Sequence, residues 1–267
     1  MHMNLIRKII LCFFYKVYGN KIIFLESIPK KKCLGFMESS WDAQAKSSPL
    51  TAVDWTSGEN EKLFDKFGKD IVDWILKKGY ITKKSTTLHI GCGVGRFEKF
   101  ICKNVKACYG IDISSEMISI AKQRLKKIHN VKLYKTQGNS LCMFVNNKFD
   151  FVYSIEVFQH LSIDIIEAYM SEAARVLKPG GFFLLTQGDI RTDNILKTKR
   201  IMKFLFREKI VNIPINLEGP GVSDYEKLGK KHGLLLIKEN LDFPTREICK
   251  GINSSGRYLI FRRIRLK

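Results

Sequence analysis

Residues 88–97, LHIGCGVGRF, decide how this 267-residue chain folds. An apolar run ends in glycines at 91, 93 and 95, the pattern of a strand turning into a helix around a ligand. Glycine lets the backbone approach a bound group with no Cβ between them. The dinucleotide fingerprint G-x-G-x-x-G needs its third glycine at position 96, where this chain has Arg96. That substitution weakens a dinucleotide reading, and the absence of G-K-[ST] excludes a P-loop.

Working outward, residues 86–90 read as a strand and residues 95–102 as the start of its helix. A second strand, VKACYGIDI (105–113), carries Asp112, 21 positions beyond Gly91. An acid at that place accepts hydrogen bonds from ribose hydroxyls. The alternative role for Asp112 is to cap the helix that Ser114 opens. Glycine loop and acid together, in a strand-turn-helix-strand frame, point to an adenosyl group. NVKLYKT (130–136) and KFDFVYSIE (148–156) give two more strands. SIDIIEAYMSEAARVLKPGG (162–181) is a helix stopped by Pro179-Gly180-Gly181, and FFLLTQ (182–187) is a fifth strand.

Upstream, residues 59–79 place Leu63, Phe64, Phe67, Ile71, Trp74 and Ile75 on one helical face. Downstream, Ser223 with Glu226 forms a capping-box pattern for a helix to His232. LLLIKENLDF (234–243) and GRYLIFRRI (256–264) finish as two strands whose short connection suits antiparallel pairing. Alternating strands and helices imply right-handed crossovers. The expected fold class is α/β, a Rossmann-like seven-stranded sheet. It is mostly parallel with an antiparallel last strand, and helices cover both faces.

Composition bounds the rest. Hydrophobic residues make up 45% and charged residues 27%, values of a globular protein. The seven cysteines include no C-x-x-C pair, so neither a zinc site nor a redox motif is indicated. Unpaired thiols suit a reducing cytoplasm. The net charge of +20 admits nucleic acid, an anionic membrane or an acidic substrate, or a Lys-rich composition spread along the chain. No RNA-binding motif favours nucleic acid. Residues 1–36 form a basic, apolar extension with seven Lys/Arg against Glu26. Their longest apolar run, 9–15, is seven residues, far below the about 20 that span a bilayer. Two readings stay open for this extension, a dispensable segment before Met37 and a peripheral membrane contact.

LHIGCGVGRF, YGIDIS, FDFVYSIEVFQHL and ARVLKPGGFFLLT resemble, in order and spacing, the motifs of class I S-adenosylmethionine-dependent methyltransferases, most nearly the small-molecule group. The resemblance covers residues 41–187 and, more loosely, the two final strands. It implies a methyltransferase domain over residues 37–267, S-adenosylmethionine as cofactor and S-adenosylhomocysteine as product. Carried over by position, Gly91, Cys92, Gly93 and Gly95 face the methionyl and ribose portion. Asp112 holds the ribose hydroxyls, and Ile113 packs on the adenine. Asn139 and Ser140 stand where an acid usually meets the adenine amino group. Ser154 lies by the methionyl part. His89 replaces an acid that positions the methionyl ammonium, its alternative being a histidine satisfied beneath the loop. Trp41, in SSWDAQAKSSPLTAV (39–53), is a lid candidate or a packing anchor.

Methyl transfer from a sulfonium depends mainly on in-line positioning and exclusion of water. An oxygen or nitrogen acceptor also needs a base, for which His160 and Glu156 are the candidates. No acid-rich cluster suggests a metal. Residues 188–224 form the expected acceptor-side insertion, whose basic and apolar helix (Lys197, Arg200, Lys203, Phe204, Phe206) suits an anionic or lipidic small molecule. The rivals are an RNA or protein methyltransferase and a non-catalytic adenosyl-binding module. An NAD oxidoreductase is disfavoured by Arg96.

Overall fold

Strand β1 (Thr86–Ile90) has partners on both edges and core on both faces. The structure, a computed structural model, describes residues 23–24, 30–54, 57–187, 214–215, 220–240 and 257–264. Around β1 lie β2 (Ala107–Asp112), β3 (Val131–Lys135), β4 (Phe149–Ser154), β5 (Leu177–Gln187), β6 (Leu234–Asn240) and β7 (Arg257–Arg263). Their order in the sheet is β3-β2-β1-β4-β5-β7-β6. The first five are parallel; β7 runs antiparallel to both β5 and β6. This is the expected Rossmann-like sheet, with the reversed strand inserted between its neighbours.

The helices are α1 (Lys30–Ser47), α2 (Pro49–Val53), α3 (Glu61–Lys77), α4 (Glu98–Ile101), α5 (Ser115–Arg124), α6 (Ile163–Val176) and α7 (Val222–Lys231). Successive strand side chains alternate between faces. Leu88, Ile90, Val152, Phe183 and Leu185 pack on one side with α6 and Tyr225. Thr87, His89, Phe151, Tyr153 and Leu184 point to the other, where α3 contributes Ile71, Trp74 and Ile75.

The face α3 buries differs from the sequence expectation. Leu63 is 52% exposed, whereas Gly68 and Val72 are buried. Gly68 is required there because a Cβ would lie 2.8 Å from Arg96 Cγ. α1 begins at Lys30 and buries Cys33 as well as Met37, so the boundary expected at Met37 falls inside a helix. The cap of α7 also differs. Gly221 is its N-cap, and Asp224, not Glu226, accepts the Gly221 N–H at 2.9 Å. Residues 1–22, the basic helix expected in 188–213 and the connection 244–255 lie outside the described residues.

Helix α7 seats on the sheet through Gly229. A Cβ there would lie 2.7 Å from the Leu234 carbonyl and 2.8 Å from the Phe261 ring. Gly229→Ala is therefore expected to destabilise the protein by about 1–3 kcal/mol. A lowered urea midpoint with unchanged slope measures this.

Candidate active site

The loop after β1 is shaped by its glycines and by β2. Gly91, Gly93 and Gly95 have φ of 77, 51 and 79°, the left-handed region that side chains disfavour. Gly91 and Cys92 both donate N–H bonds to the Ile111 carbonyl, at 2.8 and 2.9 Å. Asp112, at the end of β2, then braces the turn. Its Oδ2 accepts the Gly93 N–H at 2.8 Å and its Oδ1 the Ser114 N–H at 2.9 Å. Burial pushes this carboxyl above the ordinary carboxylate range, against the pull of those two amide bonds. A carboxylate offers about four acceptor positions, so both oxygens retain capacity for hydroxyl donors.

Three expected site residues lie beneath the loop. The Cys92 side chain is buried, and burial pushes its thiol well up, so only its backbone borders the loop. Ser154 is fully buried and donates Oγ–H to the Ile90 carbonyl at 2.9 Å, tying β4 to β1 instead of facing the cleft. His89 faces the α3 side of the sheet because alternation along β1 puts it there. Its Nδ1 lies 2.7 Å from Glu98 Oε1, and its ring stacks on Tyr153 at 4.3 Å. Glu98 also accepts the Tyr153 hydroxyl at 3.3 Å. Beneath the loop, His89 is therefore met at Nδ1 by a carboxylate rather than by backbone, while its buried Nε2 has no hydrogen-bond partner.

On the adenosyl side, Ile113 is half-buried and its Cδ1 stands 2.6 Å from where a Gly138 Cβ would be. Leu34 of α1 approaches the same point at 3.0 Å. Asn139 is exposed, and Ser140 closes the turn by accepting the Cys142 N–H on its Oγ. Helix α1 is fastened here through Asp42, whose Oδ1 accepts Ser114 Oγ–H at 2.6 Å and the Glu116 N–H at 3.2 Å. An ion pair from Glu38 to Lys135, 2.9 Å, adds a second tie.

The opposite side gathers the other candidates. His160 ends a short turn, Phe158–His160, and meets Trp41 edge-on with ring centroids 5.2 Å apart. Glu156 adopts φ 62°, rare for a side chain of this size. Its N–H donates to Thr186 Oγ1 at 2.6 Å, and its Oε2 accepts from Arg96 Nη2 at 2.8 Å. Arg96 is buried and also pairs with Asp54, Nη1 to Oδ2 3.0 Å. Arg96, Asp54, Glu98 and Asp42 are structural participants that the sequence reading did not assign. The one available signal was Arg96 itself, a cation at a position where the loop turns inward.

Alternate glycines, an acid at the end of the next strand and an apolar wall of Ile113 and Leu34 fit a ribose-bearing adenosyl group. Residues 88–185 match the family model described as a methyltransferase domain. Demethylmenaquinone methyltransferase of Tropheryma whipplei (strain Twist) is 34% identical over 101 residues, 38% of this chain and 41% of that protein. Ubiquinone biosynthesis O-methyltransferase of Pelagibacter ubique is 26% identical over 167 residues, 62% of this chain and 64% of that protein. The match therefore spans less than two thirds of either relative. Among solved structures, a SAM dependent methyltransferase from Aquifex aeolicus shares the fold, with TM-score 0.54 and 16% identity over 77% of this chain and 96% of that one. Residues 88–185 thus carry the matched methyltransferase domain, on a fold shared with solved S-adenosylmethionine-dependent methyltransferases.

Proposed function

We propose that this protein transfers a methyl group from S-adenosylmethionine to a small-molecule acceptor. The observation that carries the reading is Asp112, braced against the glycine loop with both oxygens turned to backbone donors and hydroxyl capacity left on each. When bound, S-adenosylmethionine supplies a methyl group on a sulfonium, already activated for displacement. The protein's part is then to orient and to exclude water. Asp112 receives the ribose hydroxyls, Ile113 and Leu34 cover the adenine, and the glycine loop admits the chain between them. Trp41 closes over the cleft with His160 beside it. Glu156 and His160 stand on the acceptor side, the first as a hydrogen-bond acceptor and the second as the candidate base for an acidic O–H or N–H.

We assign the acceptor to apolar or anionic small molecules. Support comes from the relatives' quinone-pathway names and from the basic, apolar composition of residues 188–224. A cytoplasmic setting accords with five free cysteines among the described residues, and peripheral membrane contact through residues 1–36 rests on their basic and apolar sequence. No helix among those residues is long and apolar enough to cross a membrane.

Calorimetric titration with S-adenosylhomocysteine tests the reading. Saturable binding at one site per chain is expected, and a flat titration at millimolar ligand would overturn it.

A further inference from the structure

Arg96 is the largest fully buried side chain among the described residues, and it sits at the turn out of the glycine loop. Burying a guanidinium is unfavourable unless its charge is met. Here two carboxylates meet it from different parts of the chain. Asp54 follows α2, and Glu156 follows β4. Phe97, Phe64 and Phe67 surround the guanidinium carbon, with ring centroids at 4.5, 5.1 and 5.3 Å.

Each of those acids adjoins a valine that rests on the loop. Val53, just before Asp54, has Cγ2 2.7 Å from where a Gly93 Cβ would be. Val157, just after Glu156, has Cγ2 2.3 Å from the corresponding point at Gly91. The two walls that close on the glycine loop are therefore gripped by one side chain. A triad serving only the fold would not require strain, yet Glu156 is held at φ 62° with its side chain 39% exposed, while Asp54 is buried. Backbone strain held by surrounding contacts is characteristic of functional positions.

We propose that Arg96 is a positioning residue that couples these walls, so that Val53–Asp54 and Glu156–Val157 answer a ligand at the glycine loop as one unit. This inference rests on the methyltransferase reading above. The forked guanidinium suits the task because its two terminal nitrogens face different acids, Nη2 donating to Glu156 and Nη1 forming an ion pair with Asp54; a lysine ammonium is a single compact charge.

A double-mutant cycle read by calorimetry with S-adenosylhomocysteine tests the coupling. Asp54→Asn, Glu156→Gln and the double variant are titrated in the native background and again with Arg96→Lys. In the native background each single change is expected to weaken binding about tenfold, and the double change to weaken it little further. With Arg96→Lys the two changes should act independently. Thermal melts of every variant supply the contrast: a purely structural triad would show coupling in melting temperature but none in ligand affinity. Independent effects on affinity in the native background, or singles that leave affinity unchanged, would overturn the proposal while leaving the methyltransferase reading intact. Should Arg96→Lys not fold, the native-background cycle alone still decides. No binding by the unaltered protein would overturn both readings.

Discussion

Asp112→Ala is expected to lower affinity for S-adenosylhomocysteine by about 100-fold or more. The estimate follows from two ribose hydroxyls donating to one carboxylate, each charged hydrogen bond contributing about 1.5–3 kcal/mol. Calorimetry on the folded variant reads the loss directly; an affinity within tenfold of the unaltered protein would remove Asp112 from the cofactor site. The residue also makes a pH prediction. Burial raises its carboxyl, so folding favours the protonated form. Its contribution to stability is therefore greatest below the ordinary carboxylate range and is lost as pH rises through the raised value. Ligand binding has the opposite sign. Hydroxyl donors prefer the ionised carboxylate, so affinity should fall as the solution is acidified through that value. In Asp112→Ala both trends should flatten, although the orphaned Gly93 and Ser114 amides will lower the stability of the variant at every pH.

Arg96→Met should cost the largest amount of stability of any single change considered, about 3–5 kcal/mol. Methionine fills much of the volume between Phe64, Phe67 and Phe97. It leaves Asp54, 4% exposed, with its charge facing the site the guanidinium held. Against a typical total stability of about 5–15 kcal/mol, such a loss brings the fold near its threshold. Urea titration with unchanged slope measures it. Adding Asp54→Asn to Arg96→Met should recover part of the loss, because a neutral amide no longer demands a counter-charge. A loss under about 1 kcal/mol would mean that the pair contributes little beyond a hydrophobic replacement.

The sheet was legible because strand periodicity and turn residues are local signals. The expected strand at residues 86–90 is the observed β1, and Asp112 ends β2 as its place in the pattern implies. The reversed pairing of the last two strands followed from the absence of room for a crossover helix. What escaped was side-chain direction and long-range pairing. His89 occupies the position of a family acid, yet alternation turns it toward Tyr153, and Glu98 meets it only after the chain has rounded the glycine loop. Ser154 likewise looked like a cleft residue and proved to be a tie between strands. Leu63 belongs to the expected buried face of α3, yet it is 52% exposed, while Gly68, against Arg96, and Val72 are buried. The start of α1 is not legible because its inner face is sparse, with Cys33, Met37 and a partly buried Trp41 interrupted by glycine and serines. In the sequence Arg96 signals only the dinucleotide glycine it replaces, since its partners Asp54 and Glu156 are brought near by the fold alone.

The place of β7 in the sheet has a consequence for how the molecule is made. It lies between β5 and β6, both of which precede it in the chain. While a ribosome is still short of residue 257, β5 presents an open edge and β6 has no partner among the described strands. An unpaired strand edge invites association with other chains. Until β7 is made the nascent protein therefore carries an aggregation hazard at these two strands, and that hazard ends when Tyr258–Phe261 pair with both neighbours.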